Sequence, residues 1–194
     1  RRKCLVLDLD NTLWGGLVGE EGIEGIQIGA DYPGNAFQAF QQAILDLYHR
    51  GIILAICSKN DDHIARQVLE NHPDMLLRTG HFACMVINWE DKATNIRQIA
   101  EELNIGLDSF VFLDDNPAER LLVRQQIPEV LVPELPDTPA DYAFFLKKMT
   151  DFDTLTLSAE DRERGRMYRT QVKRRHLQKT TTSLEDYYVS LDMT

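Results

Sequence analysis

Two acidic pairs carry the chemistry this chain could do. Asp8-Leu9-Asp10-Asn11-Thr12 interrupts one apolar run, and Asp114-Asp115-Asn116-Pro117 follows another, Phe110 to Leu113. A carboxylate at the end of an apolar strand is costly unless its charge is compensated. Two such pairs at matching strand ends point to a cation between them. An all-oxygen donor set suits magnesium, which keeps several of its waters. A carboxylate can attack phosphorus and form an aspartyl-phosphate. Both partners in that attack are anions, so a divalent cation is needed between them. On this reading Asp8 is nucleophile and metal ligand. The Asp10 carbonyl is a second ligand, and its side chain protonates the leaving oxygen and then activates water. Asp114 and Asp115 complete the metal set, and Asn116 is placed to help orient them.

The elements that must position these groups follow from hydrophobic patterning. Cys4 to Leu9 reads as a buried strand. Trp14 to Pro33 is glycine-rich and reads as a hairpin or flap rather than a helix. Asn35 is placed to cap a helix burying Phe37, Phe40, Ile44, Leu47 and Tyr48, ended by His49, Arg50 and Gly51. Ile52 to Cys57 is a second strand. Asn60-Asp61-Asp62 opens a second helix, with Asn60 read as its cap. Cys84 to Ile87 is a third strand and Asp91 to Leu103 a third helix. Phe110 to Leu113 is a fourth strand, followed by a helix to about Gln126, and Val130 to Val132 is a short fifth strand. Tyr142 to Met149 and Ser158 to Lys179 both read as helical. Apolar strands alternating with amphipathic helices predict an α/β fold, a parallel sheet with helices on both faces. Ligands of such sheets sit beyond the carboxyl ends of the strands. That edge gathers Asp8, Asp10, Cys57, Ser58, the loop before Lys92, Asp114 and Asp115. Residues 1–135 are expected to form the catalytic core, and residues 136–194 a helical extension packing on it.

A net charge of −10 argues against general nucleic-acid or anionic-membrane binding. No apolar run approaches the roughly 18 residues of a membrane span. The first apolar stretch is short and holds two aspartates, unlike a signal peptide. Cys4, Cys57 and Cys84 fit no zinc spacing and read as free thiols of a reducing cytoplasm. The chain opens on Arg1-Arg2 without Met, which reads as a domain of a longer polypeptide.

DLDNT, Ser58 after the second strand, Lys92 at a helix start and LDDNP resemble the four motifs of the haloacid dehalogenase (HAD) superfamily of phosphohydrolases. The resemblance spans roughly Lys3 to Val132 and implies a Rossmann-like HAD core. It implies that Asp8 is the nucleophile and Asp10 the general acid/base. Ser58 would bond the transferring phosphoryl group and Lys92 would neutralise it. Asp115 would ligate magnesium, with Asp114 a ligand or its partner. Short inserts after the first motif imply a small flap and no large cap, a site open to larger partners.

VLDLDNTLWGGLVGEEG, ICSKN, INWEDKATNI and LTLSAEDRERGRMYR are similar, more narrowly, to the FkbH-like glyceryl transferase/phosphatases of polyketide synthases. That family takes 1,3-bisphosphoglycerate, removes phosphate and passes a D-glyceryl group through a cysteine thioester to the phosphopantetheine thiol of an acyl carrier protein. The matching cysteine is Cys57. It precedes a helix N-terminus, whose dipole favours a thiolate, and Lys59 and His63 are near in sequence. His63 is either a base for Cys57 or an exposed first-turn residue. Trp14 is either core or a wall of the substrate pocket. The expected substrate-binding set is Thr12, Trp14, Ser58, Lys59, Asn60 and Lys92. Cys4 and Cys84 read as buried strand residues. The basic run Arg162 to Lys179 is either a solvated helix face or a docking face for an acidic carrier protein. The alternatives to glyceryl transfer are a plain magnesium-dependent phosphomonoesterase and a non-catalytic carrier-binding module.

Overall fold

The computed structural model describes residues 1–153 and 166–174. Four parallel strands form one sheet: β1 (Cys4–Leu7), β2 (Ile53–Lys59), β3 (Phe82–Asn88) and β4 (Phe110–Leu113). Their order is β3-β2-β1-β4. The chain therefore winds outward from β1 to β3 and returns to the other side of β1 for β4. The reversal opens a crevice between β1 and β4, where open α/β sheets bind their ligands. Cys4 pairs with Ile53 on one side and Phe110 on the other, so Leu7 and Leu113 end level beside Ile56, β2 runs on to Lys59, and the loops after β1, β2 and β4 lie at one edge.

The strands are apolar throughout because both faces are covered. On one face α2 (Gly34–His49) and α3 (Asp62–Asn71) bury Phe37, Phe40, Ile44, Val68 and Leu69 against Leu5, Leu7, Leu54 and Ile56. On the other face α4 (Lys92–Leu103) and α5 (Pro117–Gln126) bury Ile96, Ile99, Leu103 and Val123 against Cys4, Val6, Ala55 and Phe112. Beyond a linker, α6 (Tyr142–Lys148) lies against α2, with Tyr142 edge-on to Phe37 and Phe40. Tyr142, Leu146 and Phe152 belong to the first of these cores. Among the described residues no helix is long and apolar enough to cross a membrane.

Several boundaries differ from the sequence expectation. The flap exists, closed by an antiparallel bridge between Gly15 and Gln27, but its tip is a helix, α1 (Val18–Gly25). Glu20 and Glu21 in its first turn favour a helix start, and Glu21 accepts from the Leu17 amide at 3.1 Å. Asn35 lies inside α2, which starts from Pro33 and makes no side-chain cap. Asp61, not Asn60, caps α3 by accepting from the His63 and Ile64 amides. Val130 to Val132 is no strand: only Leu131 bridges to Val111, in parallel. Residues 166–174 are helical, while the rest of the expected helix from Ser158 to Lys179 lies outside the described residues.

Candidate active site and metal centre

The turn after β1 is built by Asn11, whose φ of 60° is rare for any residue but glycine, asparagine and aspartate. Its side chain accepts from the Gly16 amide at 2.7 Å, and Gly16 itself stands at φ 91°. The turn points Asp8 and Asp10 in different directions. Asp8 faces the loop after β4, where Asp114 and Asp115 stand. One carboxylate oxygen from each of the three lies within 4.8 Å of the others. Asp10 is outside this cluster. Its Oδ1 accepts from Trp14 Nε1 at 2.9 Å and the Val18 amide at 3.1 Å, and its Oδ2 accepts from Asn60 Nδ2 at 2.9 Å. The Asp10 side chain is thus engaged away from the cluster, and its backbone carbonyl is the group it could offer a metal.

Lys92 is 3% exposed at the start of α4 and reaches into the cluster. Its ammonium donates to Asp8 at 2.9 Å and to Asp114 at 2.5 Å. Burial alone would lower its pKa, but Asp8 and Asp114 outweigh burial and hold it well above the lysine range. Three carboxylates thus share one cation, and the residual charge is about −2, the amount a divalent ion balances. The acids raise one another's affinity for protons. Burial, then repulsion from Asp8, lifts Asp114 to about 6, with Lys92 opposing. Burial, then Asp8 and Asp114, lifts Asp115 to about 8. Burial also raises Asp10, against the bonds from Val18, Trp14 and Asn60. All the donors are oxygens and their charge fits, so magnesium suits the residues present.

Thr12 is fully buried and ties the two acidic loops together. Its hydroxyl contacts Asp8 and Asp115, each at 3.2 Å, and accepts from the Asp115 amide at 3.3 Å. The Asn116 amide donates to Asp114 at 2.9 Å while its side chain caps α5, so Asn116 does orient Asp114. Ser58 is buried and its hydroxyl finds no partner among the described residues, a donor available to a ligand oxygen. Trp14 is both core and site, fully buried with its ring N–H on Asp10.

Other expected groups are placed differently. Asn60 is 2% exposed and braces Asp10 rather than capping α3. Lys59 pairs with Glu119 at 3.1 Å. His63 is exposed in the first turn of α3 and meets Gln67 at 3.1 Å, the exposed placement of the two expected. Cys57 is fully buried, its Sγ 3.7 Å from the Lys92 carbonyl. Burial drives that thiol well above its ordinary range, with Lys92 opposing and nearby carboxylates adding to the rise. Desolvation thus works against the thiolate that the helix dipole would favour. Cys4 and Cys84 are buried strand residues, as expected.

Two groups were not singled out by sequence. Arg120 is buried on α5 and binds the carbonyls of Asp114 and Asp115. Its spacing with Val123 and Ile127 puts an arginine on the buried face of a helix, a signal that was available. Tyr142 donates to the Asn11 carbonyl at 3.3 Å from 131 residues away, which no local pattern reveals.

The N-terminal part of protein BF1531 from Bacteroides fragilis, containing a phosphatase domain and solved with Mg, is similar to this chain. The two share 51% identity over 80% of this chain, with a TM-score of 0.77. The fold is that of the phosphatase domain. This chain spans 42% of the matched chain. A hypothetical protein from Xanthomonas campestris, XCC2798, matches at 16% identity over 93% of this chain and 90% of that one, with a TM-score of 0.42. No protein family model and no curated protein matches the chain.

Proposed function

We infer that the chain is a magnesium-dependent phosphatase of the HAD type. The observation that carries this reading is the convergence of Asp8, Asp114 and Asp115 within 4.8 Å around a buried lysine, beside a separately held Asp10. Phosphatase and magnesium in the similar Bacteroides domain support it. Magnesium, when bound, would be held by Asp8, Asp114 and Asp115 and would offset charge between the attacking carboxylate and the phosphoryl group. Asp8 attacks phosphorus, the bond to the leaving oxygen breaks, and an aspartyl-phosphate forms. Lys92 and the Ser58 hydroxyl face the transferring oxygens. Asp10, whose affinity for a proton burial raises, gives its proton to the leaving oxygen and then takes one from the attacking water.

The test is phosphate release from p-nitrophenyl phosphate and acetyl phosphate. Wild type turns over with magnesium and stops with a chelator. Asp8→Asn loses turnover entirely, and Asp10→Asn loses about 10²- to 10⁴-fold, the usual worth of a general acid/base. Full activity of Asp8→Asn would refute the reading.

A finer reading is the glyceryl transfer of the FkbH-like family, from 1,3-bisphosphoglycerate to an acyl carrier protein. It is favoured by the place of Cys57, next to Ser58 and against the Lys92 carbonyl. It demands that a fully buried thiol become accessible during turnover. Intact mass after incubation with 1,3-bisphosphoglycerate, magnesium and a carrier protein decides it. A glyceryl adduct on the carrier that vanishes in Cys57→Ala supports transfer. Phosphate release with no loaded carrier leaves the phosphatase alone.

A further inference from the structure

Arg120 is 5% exposed, and its guanidinium turns back on the loop that precedes its own helix. Nη1 donates to the Asp114 carbonyl at 3.0 Å and to the Asp115 carbonyl at 3.1 Å, and Nη2 donates to Glu134 at 3.0 Å. Nε finds no partner among the described residues, although it is buried. A buried, incompletely bonded guanidinium is costly, and an apolar side chain would fill the same stripe of α5 beside Val123 without that cost. What the arginine adds is control of two consecutive peptide planes. Both carbonyls are drawn toward Arg120, while the two side chains join the cluster around Asp8.

We propose that Arg120 is the positioning residue of the divalent-cation site, setting the Asp114-Asp115 turn so that both carboxylates converge with Asp8. The proposal rests on the magnesium reading above. It extends the site's support to Glu134, in the linker after the sheet. Glu134 accepts from Arg120 and also pairs with Arg124 at 2.6 Å, and Arg124 in turn binds the Val132 carbonyl. The linker thereby acts on metal affinity without touching the metal.

The experiment measures binding of magnesium itself, by titrating the thermal midpoint of the chelator-treated chain with magnesium chloride, alongside phosphate release. Arg120→Met raises the half-effective magnesium concentration about 10-fold or more, as loss of groups orienting metal ligands generally does. Arg120→Lys raises it less, because an ammonium keeps the charge but not the fork. Arg66→Met, whose guanidinium pairs with Asp62 within α3 and touches none of these groups, leaves it unchanged. A folded Arg120→Met with wild-type magnesium dependence overturns the proposal. Should Arg120→Met not fold, the proposal stands or falls on Glu134→Gln, an exposed change that loosens the same guanidinium. A raised half-effective concentration there supports it, and an unchanged one overturns it. Absence of any magnesium shift in wild type overturns the magnesium reading, and the proposal with it.

Discussion

Removing a carboxylate from the acidic cluster should stabilise the metal-free protein while destroying its activity. Asp115 is the residue to change. Lys92 bonds Asp8 and Asp114 but makes no bond to Asp115, which faces both of them as a third negative charge. Asparagine keeps its shape, its acceptor for Thr12 and its backbone bond to the Thr12 hydroxyl. Two unit charges at the 4.8 Å limit of the cluster repel by about 3 kcal/mol at an effective dielectric near 20. Asp115 is only half-buried, so solvent screening reduces the gain to roughly 2 kcal/mol. For a domain of this size that is roughly 4–8 °C in melting temperature. The assay is thermal unfolding followed by circular dichroism, in low salt with a chelator, at pH 8.5. There Asp115 is ionised in the native state, since its pKa is pushed up to about 8. Asp115→Asn should melt higher than wild type, and the gap should close as pH falls toward about 4, where the unfolded aspartate also protonates. Added magnesium should raise wild type more than the variant. A variant that melts at or below wild type at pH 8.5, with native far-ultraviolet spectra, would refute the electrostatic account.

Two further outcomes follow from the same geometry. Asp114 and Asp115 have folded pKa values of about 6 and about 8, above the aspartate value of about 4 in an unfolded chain. Between those limits the native state holds more protons, so the stability from this pair is full below about pH 4 and lost as pH rises through about 8. Urea unfolding in chelator at pH 5 and 8.5 reads the slope, and saturating magnesium should flatten it; a rise in stability with pH would contradict the assignment. Asn60→Ala removes a bond that lowers the Asp10 pKa, so the limb of the pH–rate profile reporting Asp10 should move to higher pH, whereas a change in KM alone would make Asn60 a substrate contact.

The fold was legible because its signals are periodic. Val6 and Phe112 lie in apolar strands, Ile96 and Leu103 recur at helical spacing, and the acidic pairs mark strand ends. The metal triad was legible for the same reason: charge in an apolar setting stands out. The division of labour at Asp10 was harder to see, because Asn60 and Trp14 reach it through side-chain bonds between separate elements. Asn60 looked like a cap because asparagine favours helix starts, and Asp61 took that place with better geometry. Cys57 shows the limit of arguing from neighbours along the chain. A helix start and Lys59 predicted an ionised thiol, but burial is a property of the whole fold, and it prevails.

The hydrogen bond from Tyr142 to Asn11 has a consequence for dissecting the protein. A fragment ending at residue 135 would retain every acidic residue of the cluster, Lys92 and Ser58. It would also leave the carbonyl of Asn11, between Asp10 and Thr12, without its donor, and it would uncover the rings of Phe37 and Phe40. The last helix of the core therefore behaves as the far end of a belt buckled at the reaction centre. Circular permutants or fusions that hold residues 142–152 in place should keep that buckle closed, and grafts that exchange only the first 135 residues should not.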